Sequence, residues 1–104
     1  MGKLDIIAGF EWDAENIDKN WVKHGVSNAE CEEVLFNIPL LIRPDISHSR
    51  EEVRNAAFGR TDAERPLFVV FLVRNNYIRV ISARDMTDKE LEVYRDRLKK
   101  SSKI

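Results

Sequence analysis

Leu67-Phe68-Val69-Val70-Phe71-Leu72-Val73, followed by Arg74-Asn75-Asn76 and then Tyr77-Ile78-Arg79-Val80-Ile81-Ser82-Ala83-Arg84, decides the fold of this chain. Seven consecutive apolar residues without alternation are what a strand covered on both faces requires, so 67–73 reads as the central strand of a sheet. Seven also falls far short of the roughly 20 apolar residues that cross a bilayer. Asn75-Asn76 tolerates the positive φ of a two-residue hairpin, so Tyr77 to Ala83 is expected to return antiparallel beside it. Upstream, Arg54 to Arg60 is a further strand, and Arg54, Ala56, Phe58 and Arg60 share one face if it is regular. Leu40-Leu41-Ile42, before Arg43-Pro44, reads as a short strand, and Ile6 to Trp12 as another.

Helix starts are written twice in the same grammar. In Val26-Ser27-Asn28-Ala29-Glu30-Cys31, Ser27 caps, Glu30 closes the capping box, and Val26 staples onto Cys31. Met86-Thr87-Asp88-Lys89-Glu90-Leu91 fills the same roles for a closing helix. The first helix presents Cys31, Val34 and Leu35 before Pro39 forbids continuation. The closing helix presents Leu91, Tyr94 and Leu98, with Lys99, Lys100 and Lys103 near its negative end. An earlier helix is expected from Ala14 to about His24, with Asp13 as its N-cap, Gly25 as a left-handed stop, and Ile17 and Trp21 turned inward. The sum is an α+β fold: an antiparallel sheet with two N-terminal helices and a C-terminal helix.

At 104 residues the chain is expected to form a single domain, 1–104, with its core at about 10–98. The single cysteine, Cys31, excludes an internal disulfide and a cysteine-based zinc cage, and on an apolar helix face it reads as an inert buried thiol. Leu4 to Phe10 is short, interrupted by Asp5 and without a basic leader, so no secretory signal is read there and a cytoplasmic setting is expected. The formal charge of -1 argues, taken whole, against a polyanion partner. By segment it reads differently. Residues 1–49 hold four basic groups against nine acidic, 50–85 seven against five, and 86–104 six against four. All seven basic residues of the middle segment are arginine, the side chain whose planar fork suits fixed phosphate recognition. The plain alternative is a solvated, arginine-decorated sheet.

Few groups carry chemistry. His24 and His48 lack a partner at metal-ligand spacing, so no metal is expected, and no cofactor motif or glycine-rich phosphate loop is present. His48 sits in the polar stretch Pro44-Asp45-Ile46-Ser47-His48-Ser49-Arg50-Glu51-Glu52, either a solvated loop histidine or an acid–base group poised near neutral pH. Lys23-His24 at a helix end is either a dipole-stabilising pair or part of a basic site. Arg79 and Arg84, five apart, point to opposite faces of a regular strand and share a site only if the strand bends near Ser82. Arginines with a histidine or carboxylate suit RNA phosphodiester cleavage, where the 2′-hydroxyl is an internal nucleophile. Such a protein orients that hydroxyl, takes its proton (His48, His24 or Glu52) and stabilises charge on phosphorus.

The residues also match a known pattern. Phe10-Glu11-Trp12-Asp13 and Asn20-Trp21-Val22-Lys23-His24-Gly25-Val26-Ser27 resemble the N-terminal signature of BrnT-type toxins. The similarity runs through Asp45, His48-Ser49, Glu52, Arg54 and Gly59-Arg60 to Ile78-Arg79-Val80-Ile81-Ser82-Ala83-Arg84, Thr87, Glu90 and Tyr94, about residues 10–95. The resemblance implies a RelE-like fold and the toxin half of a type II toxin–antitoxin pair, a metal-independent ribonuclease that cleaves RNA and arrests growth. It implies a BrnA-type antitoxin, a hetero-oligomeric complex, and operator DNA reached only through that antitoxin when the complex represses its operon. Carried onto this chain, Arg54, Arg79, Arg84, His48 and Glu52 are the expected catalytic groups, with Lys23, His24, Arg60 and Arg74 contacting RNA. A competing reading keeps only the antitoxin-binding and regulatory role, with catalysis weak or lost.

Overall fold

Asn75 and Asn76 adopt φ of 54° and 67°, the paired positive values that the hairpin demands. They join β4 (Pro66–Arg74) to β5 (Tyr77–Asp85), which pair antiparallel in the computed structural model of the chain. The structure describes residues 7–12, 18–45 and 53–101. With β1 (Gly9–Phe10), β2 (Leu41–Asp45) and β3 (Arg54–Arg60), five strands form one sheet in the order β1-β5-β4-β3-β2. Among the described residues three helices complete an α+β architecture: α1 (Lys19–His24), α2 (Asn28–Phe36) and the C-terminal α3 (Asp88–Ser101). This is the class expected, and it is compatible with a RelE-like fold. One pairing departs from the all-antiparallel reading: β1 runs parallel to β5 over two residues, Gly9 with Tyr77 and Phe10 with Ile78.

β4 is central, as its unbroken apolar run requires, but its two faces are covered differently. Leu67, Val69 and Phe71 lie at or below 2% exposure and pack with Ala57, Ile78, Val80 and Ala83 against Val34 and Leu35 of α2. On the other face Phe68 and Val70 are half-buried, and arginines supply part of their cover: Arg84 stacks over Phe68 at 4.3 Å, and Arg43 over the cross-strand Phe58 at 5.4 Å. The apolar run therefore reports centrality, with side-chain stems doing on one face what a helix does on the other.

Both capping boxes are formed. The Glu30 N–H donates to Ser27 Oγ (3.1 Å) and the Ser27 N–H donates to Glu30 Oε1 (3.0 Å). The Glu90 N–H donates to Thr87 Oγ1 (3.1 Å) and the Thr87 N–H donates to Glu90 Oε1 (2.9 Å). Each such cap is worth about 1 kcal/mol. Val26, Cys31, Val34 and Leu35 are all buried, as the staple and stripe predict. Burial pushes the Cys31 thiol up to about 12, with the neighbouring Glu30 and Glu32 carboxylates adding to it, so it is inert. At Gly59 an added Cβ would sit 3.0 Å from Val34 Cγ1 and 3.2 Å from its carbonyl, so glycine is what lets α2 lie this close to β3. Tyr94 is a core residue: its Oη donates to the Pro39 carbonyl at 2.6 Å.

Two local expectations are corrected. β2 runs on through Arg43 and Pro44 to Asp45; a proline is tolerated because β2 is the last strand of the sheet and pairs only with β3. Trp21, expected inward, is 61% exposed, and Asn20 is buried instead. The cause is the edge of β5. Beyond Ile78 no strand lies beside that edge among the described residues, and α1 covers it with side chains: Ala83 N–H donates to Asn20 Oδ1 (3.1 Å) and Lys19 Nζ donates to the Ile81 carbonyl (2.6 Å). Satisfying those backbone groups sets the rotation of α1. Its expected beginning at Asp13 and Ala14, with Ile17, lies outside the described residues. Gly25 ends it at φ 64°, the left-handed stop anticipated.

Arg65 ties the helices to the end of the sheet. It forks onto Asp85 (2.7 and 3.1 Å), reaches Glu30 (3.1 Å), and donates to the Gly25 carbonyl (2.9 Å). Hydrogen bonding to Asp85 raises the Arg65 pKa, and the same contact holds the Asp85 carboxyl below its ordinary value.

Candidate functional site

Arg79 and Arg84 share a face, and a one-residue bulge is the reason. Val70 pairs with Ser82, but the next residue of β4, Phe71, pairs with Val80, which leaves Ile81 as an extra residue in β5. The insertion shifts the alternation of β5 by one. Arg84 stands opposite Phe68, Ser82 opposite Val70, and Arg79 opposite Leu72, all on the sheet face away from α2. The condition that the sequence set for these two arginines to belong together, an irregularity near Ser82, is met.

The ladder gathers the others. Ala56 pairs with Val70, Phe58 with Phe68 and Arg60 with Pro66, so Arg54, Ala56, Phe58 and Arg60 lie on that same face, as their alternation predicts. Arg74, two residues beyond Leu72, joins them. Five of the arginines marked in the sequence therefore occupy one surface. A sixth, Arg43, was missed: β2 register sets it opposite Ala56, where it stacks on Phe58. Its strand carries too few residues for alternation to show which face it serves, and only the pairing with β3 reveals it.

The face has two ends. At one, Arg54, Arg74 and Arg79 flank Leu72; Arg54 and Arg79 sit on strands either side of β4, roughly 10 Å apart by strand spacing. Arg79 Nε lies 3.6 Å from Glu11 Oε1. At the other end, about 15 Å along β5, Arg84 forks onto Glu90 at 2.8 and 3.0 Å while stacking on Phe68. The Arg84 bond is the largest influence holding the Glu90 carboxyl below its ordinary value, and the same contact raises the Arg84 pKa. Arg60 meets Glu64 at 3.5 Å at this end.

His48 and Glu52 lie outside the described residues, in the segment of chain between Asp45 of β2 and Arg54 of β3. Lys23 and His24 are exposed at the end of α1, where the His24 carbonyl accepts from Arg65 (3.4 Å) and the Asp85 carboxylate feels the His24 charge. His24 thus meets the Arg65 node rather than the arginine face. Among the described residues no helix is long and apolar enough to cross a membrane, and no group of three histidine, cysteine or acidic side chains could hold a metal ion.

The α+β sheet thus packs one face on α2 and gathers arginines on the other, where α3 is tied on through Arg84 and Glu90. Residues 12–90, most of the chain, match the family described as "Ribonuclease toxin, BrnT, of type II toxin-antitoxin system". The chain belongs to that family of ribonuclease toxins, and a type II system implies an antitoxin partner. None of the curated proteins matches the chain.

Proposed function

We propose that the chain is a metal-independent endoribonuclease that binds RNA across the arginine face and cleaves it at the Arg54–Arg79 end. The observation that carries the reading is the gathering of Arg54, Arg60, Arg74, Arg79 and Arg84 on one sheet face through the bulge at Ile81. Arg54 and Arg79 hold the scissile phosphate and stabilise the charge that builds on it. His48 or Glu52 takes the proton from the 2′-hydroxyl; its oxygen attacks phosphorus, the bond to the 5′-oxygen breaks, and that oxygen leaves with a proton from the acid partner. Arg84, Arg60 and Arg74 contact neighbouring phosphates, with Lys23 and His24 further away on α1. The arginines supply the cationic charge and the substrate its own nucleophile, so the chemistry asks for no metal or cofactor.

In the cell this activity arrests growth. A BrnA-type antitoxin holds the toxin in a hetero-oligomer in the cytoplasm, and the complex reaches operator DNA through the antitoxin to repress the shared operon. The single domain, 1–104 with its core at about 10–98, carries all of this. The test is cleavage of RNA by the purified chain in EDTA beside an Arg54→Ala, Arg79→Ala double variant, with growth measured on expression without antitoxin. Cleavage and arrest by wild type but not by the variant are expected; equal behaviour of the two sinks the enzyme.

A second reading has one observation in its favour: the Arg84 fork is already filled by Glu90, so one phosphate-binding arginine is committed elsewhere. Under it the chain is an antitoxin-binding regulator with weak or no catalysis. Tight antitoxin binding with intact RNA and no growth arrest would select it.

A further inference from the structure

Between β2 and α3 the surface opens into a groove of about 400 Å³. Its lining includes the apolar residues Leu40, Leu41, Ile42, Phe58, Val93 and Tyr94, of which Ile42 (39%) and Val93 (53%) are substantially exposed. Its charged lining is lopsided. Arg43, Lys89 and Arg97 face it against one carboxylate, Glu90, and Glu90 is already held by Arg84. Of the charged residues of α3, Lys89, Glu90 and Arg97 line it, whereas Asp88, Glu92, Arg95, Asp96, Lys99 and Lys100 do not. β2 also ends the sheet, which leaves the groove open on its outer side.

We propose that this groove seats the antitoxin, through a segment whose apolar side chains enter between Ile42 and Val93 and whose flanking carboxylates meet Lys89, Arg97 and Arg43. The inference rests on the antitoxin half of the proposed function, and charge complementarity fixes the chemistry of the occupant: an apolar anchor framed by acids. The site also explains how binding would silence the toxin. Arg43 serves both surfaces, stacking on Phe58 of the arginine face while lining the groove, so an occupant that takes its charge takes it from RNA. The segment would also hold α3 down and keep Glu90 on Arg84, which withdraws a second arginine.

The experiment uses the full chain and a BrnA-type antitoxin protein. Affinity is measured for wild type, Val93→Asp, Ile42→Asp and Arg97→Glu, and RNA cleavage by each chain alone is followed in parallel. All three positions are exposed, so the variants keep the fold. Val93→Asp is expected to weaken antitoxin binding about tenfold or more, and Arg97→Glu to do so more strongly at low salt than at high. Cleavage by the variants alone is expected to match wild type. Antitoxin binding as tight as wild type in all three overturns the docking site and leaves the toxin reading intact. Variants that lose RNA cleavage while holding the antitoxin normally also overturn it, by assigning the groove to RNA. Wild-type chain that binds no antitoxin removes both the docking site and the antitoxin half of the reading, whereas binding without any RNA cleavage removes the ribonuclease half and leaves the docking site standing.

Discussion

The two ends of the arginine face use the same side chain for different work. At the Arg84 end the guanidinium is bidentate to Glu90 and flat on Phe68, and Glu90 is at once the capping residue of α3. That arginine fastens a helix to a sheet. At the Arg54–Arg79 end the arginines come from strands on either side of Leu72, and Arg79 stands at 3.6 Å from the half-exposed Glu11, longer than a hydrogen bond. A forked, partly buried pair resists displacement by an incoming phosphate. The lesson is that sharing a face does not make arginines equivalent, because Arg84 is at once a bidentate partner of a helix-capping residue and a cover for Phe68.

The comparison breaks most visibly in catalysis. Arg79→Ala or Arg54→Ala is expected to cost on the order of 10²–10³ in kcat/KM for RNA cleavage, the loss typical of removing one donor from a developing negative charge. Arg84→Ala should cost much less in kcat and show chiefly as lower thermal stability. Steady-state kinetics on one RNA substrate decide it: equal losses at both ends would erase the distinction. Next in size is His48→Ala, which if His48 moves the proton should remove on the order of 10²–10⁴ and flatten the rate profile around pH 6–7.

Smaller effects sharpen the Arg84 end. Glu90→Gln weakens the fork and one arm of the capping box, so α3 should lose amide protection while RNA affinity rises, as Arg84 becomes able to take phosphate. A variant with unchanged RNA affinity would show that Arg84 is purely structural. The pH dependence follows from sign. Glu90 has a folded pKa depressed below its ordinary 4.5, so its contribution is fully present above that value and is lost as pH falls through the lower, folded one. Protection factors in α3, measured by hydrogen exchange, should therefore decline on acidification below about pH 4.5. Asp85 behaves the same way toward Arg65, though its exposure makes the effect slight.

Much of this was legible in the residues. The hairpin at Asn75-Asn76, both capping boxes, the buried Cys31 and the arginine alternation of β3 follow from local chemistry, and each is found. What escaped depends on contacts between distant segments. Trp21 faces outward because Asn20 answers an unpaired Ala83 N–H more than sixty residues away. Arg43 joins the basic surface only through its register against β3. The joint orientation of Arg79 and Arg84 hung on whether β5 is regular, which no window of β5 alone decides, since the bulge is defined by its pairing with β4.

The side chains of α1 on β5 carry a consequence for self-association. An exposed strand edge invites a second copy to continue the ladder. Here the long flank of β5 is plugged by Lys19 and Asn20, β1 offers a ladder of two residues, and β2 carries a proline, Pro44, that cannot donate. Among the described residues neither side of the sheet presents a long run of waiting backbone groups, so chains released from a partner at high local concentration would have little template on which to polymerise.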